Sequence, residues 1–142
     1  MNREILFRGK RVDNGAWETG SFVGIRIWCS DARTYIADKM TGYNTPVIPE
    51  TVGQYTGLID KNGKRIYEGD VLKMEIKSNY INPLQAPLVF IGVCKFKDGA
   101  FGFSKQRAGI EEFTAFSSTT YNVEFEIIGN IHDNAELLEV TE

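Results

Sequence analysis

The chain has almost nothing with which to build a metal or disulfide site. Two cysteines, Cys29 and Cys94, and one histidine, His132, are spread over 142 residues. A structural zinc site needs about four ligands, and a disulfide framework needs several spaced cysteines. No metal and no other cofactor is therefore expected. Cys94 sits in Gly92-Val93-Cys94-Lys95-Phe96, where a small buried hydrophobe fits, and both cysteines read as structural. The longest apolar stretch, around Leu88–Val93, falls far short of the roughly 20 residues that span a bilayer, so no membrane partner is expected. The first ten residues hold Arg3, Arg8 and Lys10 but no apolar run. No export signal is visible there, and a cytoplasmic, reducing compartment is the expectation.

Catalytic motifs are missing too. There is no phosphate-cradling Gly-x-x-x-x-Gly-Lys-Ser/Thr and no Gly-x-Ser-x-Gly elbow. His132 has only Asp133 and Glu136 as acidic neighbours in sequence, too little for a nucleophile–base arrangement. Glu68-Gly69-Asp70 reads as turn chemistry, because nothing sets the separation that a working carboxylate pair requires. No catalytic residue is assigned, and the expectation is a protein that is not an enzyme.

Positive charge is absent from the last quarter of the chain. All sixteen Lys and Arg lie at or before Arg107, against eleven of the nineteen acids, a net of +5. From residue 108 onward eight acids stand without a Lys or Arg. Such a split fits a nucleic-acid face with an acidic tail, complementary faces of a self-assembling protein, or a solvated acidic edge of little energetic weight.

What is present points to strands. Fourteen Gly, nine Phe, six Tyr and two Trp suit tight turns and pleated surfaces. Glu4–Val12 reads as a strand that meets Asn14-Gly15, a hairpin turn pair. Ala16–Ile25 alternates apolar and polar residues, the period of a half-buried strand, with Arg26–Ser30 continuing or pairing with it. Thr34–Ala37 makes a short strand. Val71–Lys77 alternates cleanly, with Leu72, Met74 and Ile76 on one face and Val71 on the other. Leu88–Phe96 reads as a central strand that Asp98-Gly99 turns into Ala100–Phe103, and Tyr121–Ile128 alternates again. Asp133–Glu136 has the outline of a capping box before a short helical turn over Ala135–Val140. No other stretch carries a 3.6-residue stripe.

A weak repeat accompanies this pattern. Phe7-x-Gly9, Asn14-Gly15, Gly20 and Phe22-Val23 match Tyr55-x-Gly57, Asn62-Gly63, Gly69 and Val71-Leu72, with one residue added before the later Gly. The fold expectation is mainly β: a small SH3-like β-barrel, or two related barrel-like β subdomains. The chain is read as a single domain over 1–142, its subdomains covering about 1–77 and 88–142. The segment 78–88, with Asn82-Pro83 and Ala86-Pro87, would join them, since proline removes ladder donors.

Two sets of candidate binding residues emerge. Arg8, Lys10, Arg11 and Trp17 interleave cations with an aromatic on one hairpin, the ingredients of a single-strand nucleic-acid surface. The sequence pI near 5.3 argues against it, as such domains are usually basic. Packing of Phe7 and Trp17 beneath snorkelling cations is preferred.

Val47–Leu58, then Asp60-Lys61-Asn62-Gly63 and Ile66–Val71, resembles the YopX family of phage and prophage proteins. Arg3–Lys10 and Ile127–Leu138 are similar to that family's two ends, while Ile25–Thr45 and Ser78–Thr120 have no match to its pattern. The resemblance implies phage or prophage origin and a β-rich fold with barrel-like parts. It implies no particular activity, and no catalytic residue carries over. Within the motif, Thr51, Gln54, Thr56 and Asp70 are the polar positions that can serve as ligand contacts, and the rings of Tyr55 and Tyr67 can stack a base. Strand-edge and turn hydrogen bonding is the preferred role for the four polar positions. Together these readings suggest a non-enzymatic accessory protein, homo-oligomeric, that binds a host or phage protein. A small-ligand or nucleotide-sequestering role is the alternative, followed by single-strand binding.

Overall fold

The structure, a computed structural model, describes residues 3–26, 32–77, 87–118 and 123–141. The Trp28-Cys29 segment, most of the 78–88 connection and the start of the expected strand at Tyr121 lie outside the described residues. The chain forms two compact units, Met1–Gly57 and Leu58–Glu142. The expected joint at 78–88 is not where the contacts divide. Strand β7 (Asp70–Ile76) before that segment pairs directly with β8 (Leu88–Lys97) after it, so both belong to one sheet.

The first unit is built on the antiparallel hairpin of β1 (Phe7–Lys10) and β2 (Trp17–Arg26). The hairpin forms, but its loop is wider than a two-residue Asn-Gly turn: the Arg11 N–H donates to the Ala16 carbonyl across Val12–Gly15, and of the Asn-Gly pair only the glycine has a positive φ. Gly15 adopts a φ of 73°, and the Asn14 Oδ1 accepts the Ala16 N–H at 2.9 Å. Strand β3 (Ala32–Ala37) pairs with β2, and β4 (Asn44–Pro46) pairs with β3. On the other side of β1 lies β5 (Gly53–Ile59), whose last two residues belong to the second unit, as does its other neighbour, β6 (Arg65–Tyr67). Among the described residues, Leu6, Ile36, Val47 and Tyr55 are the buried apolar residues of this unit. Gly9 is needed where Val47 packs, since a Cβ there would stand 3.0 Å from the valine side chain.

The second unit is a five-stranded antiparallel sheet in the order β10-β9-β8-β7-β11, adding β9 (Ala100–Arg107), β10 (Ile110–Ala115) and β11 (Val123–Asn130). Leu72, Cys94 and Phe103 project from adjacent strands and meet Ile66 and Phe116 in its core. Met74, Phe90, Phe101, Phe125 and Ile127 pack around them. The period-two pattern of Val71–Lys77 placed Leu72 and Met74 on the core side, as observed. Val71 is fully buried as well. It lies opposite Val93, at the end of the sheet where the segment carrying Ile131 and Leu138 packs over Ile91 and Val93. That segment holds a 3-10 helix at Ala135–Thr141, the expected helical turn. Its Asn134 side chain turns back to accept the Asn130 N–H.

The mainly β expectation holds, in two antiparallel sheets. The closed barrel does not: among the described residues neither strand order returns to its first strand. Hairpin signals are local, whereas closure needs pairing between strands distant in sequence. The two halves of the repeat both form hairpins, but their third glycines differ in role. At Gly20 a Cβ would collide with the Ala37 carbonyl on the neighbouring strand, whereas Gly69 sits in a turn with a φ of 89°.

Candidate functional site

The candidate ligand residues are placed mostly inside the fold. Thr51 is buried, and its Oγ1 accepts the Lys10 N–H at 2.8 Å while donating to the Ile48 carbonyl at 2.6 Å. The hydroxyl thereby fastens the short 3-10 turn at Pro49–Thr51 to β1. Tyr55 is also buried, its N–H donating to the Leu6 carbonyl, with Gln54 and Thr56 half-buried on either side. Tyr67 and Asp70 lie in the second unit. There the Asp70 Oδ2 accepts the Tyr67 N–H at 2.8 Å from a position 1% exposed. Thr51→Val, which keeps shape but deletes the acceptor, is expected to destabilise by about 1–3 kcal/mol. Urea unfolding followed by tryptophan fluorescence would read this. An unchanged midpoint would show that the hydroxyl carries no structural load.

The basic hairpin has its aromatic surface occupied. Strand register sets Lys10 opposite Trp17. The Arg8 guanidinium lies 4.5 Å above the Trp17 ring and the Lys10 ammonium 5.7 Å from its centroid. Cation–π contact of this kind holds the cations against the ring and competes with base stacking. Arg11 turns away to Asp13, at 2.8 and 2.9 Å, and to Glu18 at 3.0 Å. The Asp13 hydrogen bonds and charge are the main cause of a raised Arg11 pKa, and Arg11 in turn holds Asp13 below its ordinary value. Phe7, expected in the core, is half-buried and meets Phe22 at 5.6 Å.

In the second unit four of the eight acids after residue 107 stand beside lysines from earlier in the chain. Glu124 pairs with Lys77 at 2.6 Å and Glu126 with Lys61 at 2.8 Å. Glu111 lies 3.5 Å from both Lys95 and Lys97, and Glu112 lies 3.4 Å from Lys105. The Ser104 hydroxyl also donates to Glu111 at 2.8 Å. That bond, then the lysine charges, keeps the Glu111 pKa below its ordinary value. Acids and lysines alternate across neighbouring strands, so these four acids do not form a separate acidic surface. A cavity of about 180 Å³ is lined by Ile91, Val93, Ser104, Gln106, Ile131 and Leu138 among others. None of the six candidate ligand residues lines it. Among the described residues, no cluster of His, Cys, Asp and Glu is arranged to hold a metal. No described helix is long and apolar enough to cross a membrane.

The residue that the sequence reading undervalued is Asp60. It is 5% exposed, and its Oδ1 accepts the N–H groups of Asn62 and Lys64, both at 2.9 Å. Its Oδ2 accepts the Ile127 N–H of β11 at 3.1 Å, and the adjacent Lys61 N–H donates to the Phe125 carbonyl. This turn therefore covers the outer side of β11. The opposite end of the sheet is β10, which sequence reading did not anticipate. Its signal was Ala108-Gly109, a two-residue turn in which both residues have positive φ, 53° and 79°. Among the described residues no strand pairs with the outer side of β10. Six residues long and without Pro or Lys, it carries the charges of Glu111 and Glu112, but its outer backbone groups are not covered by another described strand.

The YopX protein family pattern matches residues 7–139 of this chain. No curated protein matches it. Among solved structures, the crystal structure of protein EF1440 from Enterococcus faecalis aligns with a TM-score of 0.53 at 21% identity. The alignment covers 96% of this chain and 99% of that one. At that identity the likeness concerns the fold.

Proposed function

The chain belongs to the YopX family, and on that premise we propose that it is a non-enzymatic, phage- or prophage-encoded accessory protein that binds a protein partner. The observation that carries this reading is the outer edge of β10, with which no described strand pairs. An exposed edge offers a row of unpaired backbone groups on which a partner strand can form main-chain hydrogen bonds. The buried polar groups support it, because Thr51, Asp60 and Asp70 each accept backbone N–H bonds, as structural residues do.

The test is affinity capture from host lysate with the full chain and with Ala115→Pro. Proline at an outward-pointing edge position removes one donor without disturbing the inner ladder. A partner bound by strand addition is lost with this variant. A partner captured equally by both proteins would overturn β10 as the docking element.

A further inference from the structure

Four strands end the two orders among the described residues, and three of them are blunted. Strands β4 and β6 are three residues long, and β4 carries Pro46. Strand β11 is covered by the Asp60-Lys61 turn. Strand β10 carries Glu111 and Glu112 but is neither short nor covered among the described residues, and its backbone indicates how it can pair.

The two-residue turn Ala108-Gly109 makes Arg107 and Ile110 the closing pair of the β9–β10 hairpin. In such a hairpin the closing pair exchanges hydrogen bonds, and pairs then alternate along the ladder. Ile110, Glu112 and Thr114 thus direct their backbone groups inward to β9. Glu111, Phe113 and Ala115 direct theirs outward. The outward set is symmetric about Phe113.

Resting on the reading of β10 as the docking edge, we infer that its occupant is the β10 of a second copy of this chain, antiparallel and centred on Phe113. A two-fold axis perpendicular to the sheet keeps each residue on its own face, so a residue can oppose only one two, four or more positions away, or itself. Centring on Phe113 sets Glu111 against the second copy's Ala115 and Phe113 against the second copy's Phe113. All three outward residues then make hydrogen-bonded pairs. Glu112 falls opposite the second copy's Thr114, a hydroxyl suited to a carboxylate. Centring on Glu111 or Glu112 instead would oppose each acid to itself, which is unfavourable, and would use fewer outward groups. Charge excludes the two registers centred on the acids, and hydrogen bonding selects the one centred on Phe113.

The test uses Thr114, which is exposed and so tolerates substitution without loss of fold. Native mass spectrometry and sedimentation equilibrium would be run on the full chain, Thr114→Glu and Thr114→Lys. The natural chain, 16.0 kDa, is expected to run at twice that mass. Thr114→Glu opposes two acids twice across the axis, and is expected to weaken the dimer about tenfold. Thr114→Lys is expected to strengthen it. A natural chain that stays monomeric at every concentration, or a dimer indifferent to both substitutions, overturns the inference. Capture of another protein by a monomeric chain, lost in Ala115→Pro, would leave the docking edge standing and remove only the second copy. Capture insensitive to Ala115→Pro would remove the edge itself.

Discussion

Asp60→Ala is expected to destabilise the second unit by about 3–5 kcal/mol, a loss seldom seen for one polar side chain. Three backbone N–H groups, of Asn62, Lys64 and Ile127, lose their acceptor at once. Hydrogen bonds to a charged acceptor contribute about 1.5–3 kcal/mol each, and entry of water recovers part of the sum. The same carboxylate sets an acid limit. Burial pushes its pKa up, but the Ile127, Lys64 and Asn62 amides with the Lys64 charge outweigh this, and the net shift is downward. A depressed folded pKa gives stability that is intact above the ordinary value of 3.8 and lost as pH falls through the folded value. Asp60→Asn should therefore be less stable than the natural chain at neutral pH, with the gap closing below about pH 4. Parallel denaturation curves at all pH values would show that Asp60 makes no ionised contribution.

Phe103→Ala is expected to cost about 3–5 kcal/mol, the usual range for a fully buried Phe. Phe103 is 2% exposed in the second sheet, 5.8 Å from the Phe125 ring. Its ring lies over Gly92, where an added Cβ would stand 2.7 Å from the ring. Glycine is thus the residue that lets the ring reach the core. Both tryptophans, Trp17 and Trp28, lie before Gly57, so their fluorescence reports the first unit. The loss should be read by amide exchange in β8 and β9, with fluorescence as comparator. A loss under about 1.5 kcal/mol would mean that the core is not centred on this ring.

Several elements were legible because their signals are local. The Asn14-Gly15 hairpin, the alternation of Val71–Lys77, the central strand at Leu88 and the helical turn after Asn134 each rest on residues within a few positions of one another. Strand β10 was missed because Ile110-Glu111-Glu112-Phe113 does not alternate, and its identity comes from pairing with β9. The candidate site was legible only as chemistry. Thr51 and Asp70 have the residue types of ligand contacts, but their partners, the Lys10 and Tyr67 amides, reveal a structural duty. Arg8 and Trp17 have the residue types of a stacking surface, although packing beneath snorkelling cations is the preferred reading, and only the structure shows both cations set against the ring.

The sequence by itself determined the β class, the turns at Asn14-Gly15 and Asp98-Gly99 and the YopX resemblance, because turn chemistry and period-two alternation act over a few residues. Tertiary structure alone decided that the sheets stay open and that the chain divides at Gly57. It also decided that Glu111, Glu112, Glu124 and Glu126 stand beside lysines from earlier in the chain, and that Asp60 covers one edge while no described strand pairs outside β10. Each of these depends on which distant strands become neighbours, and that choice is made by the packing of the whole sheet.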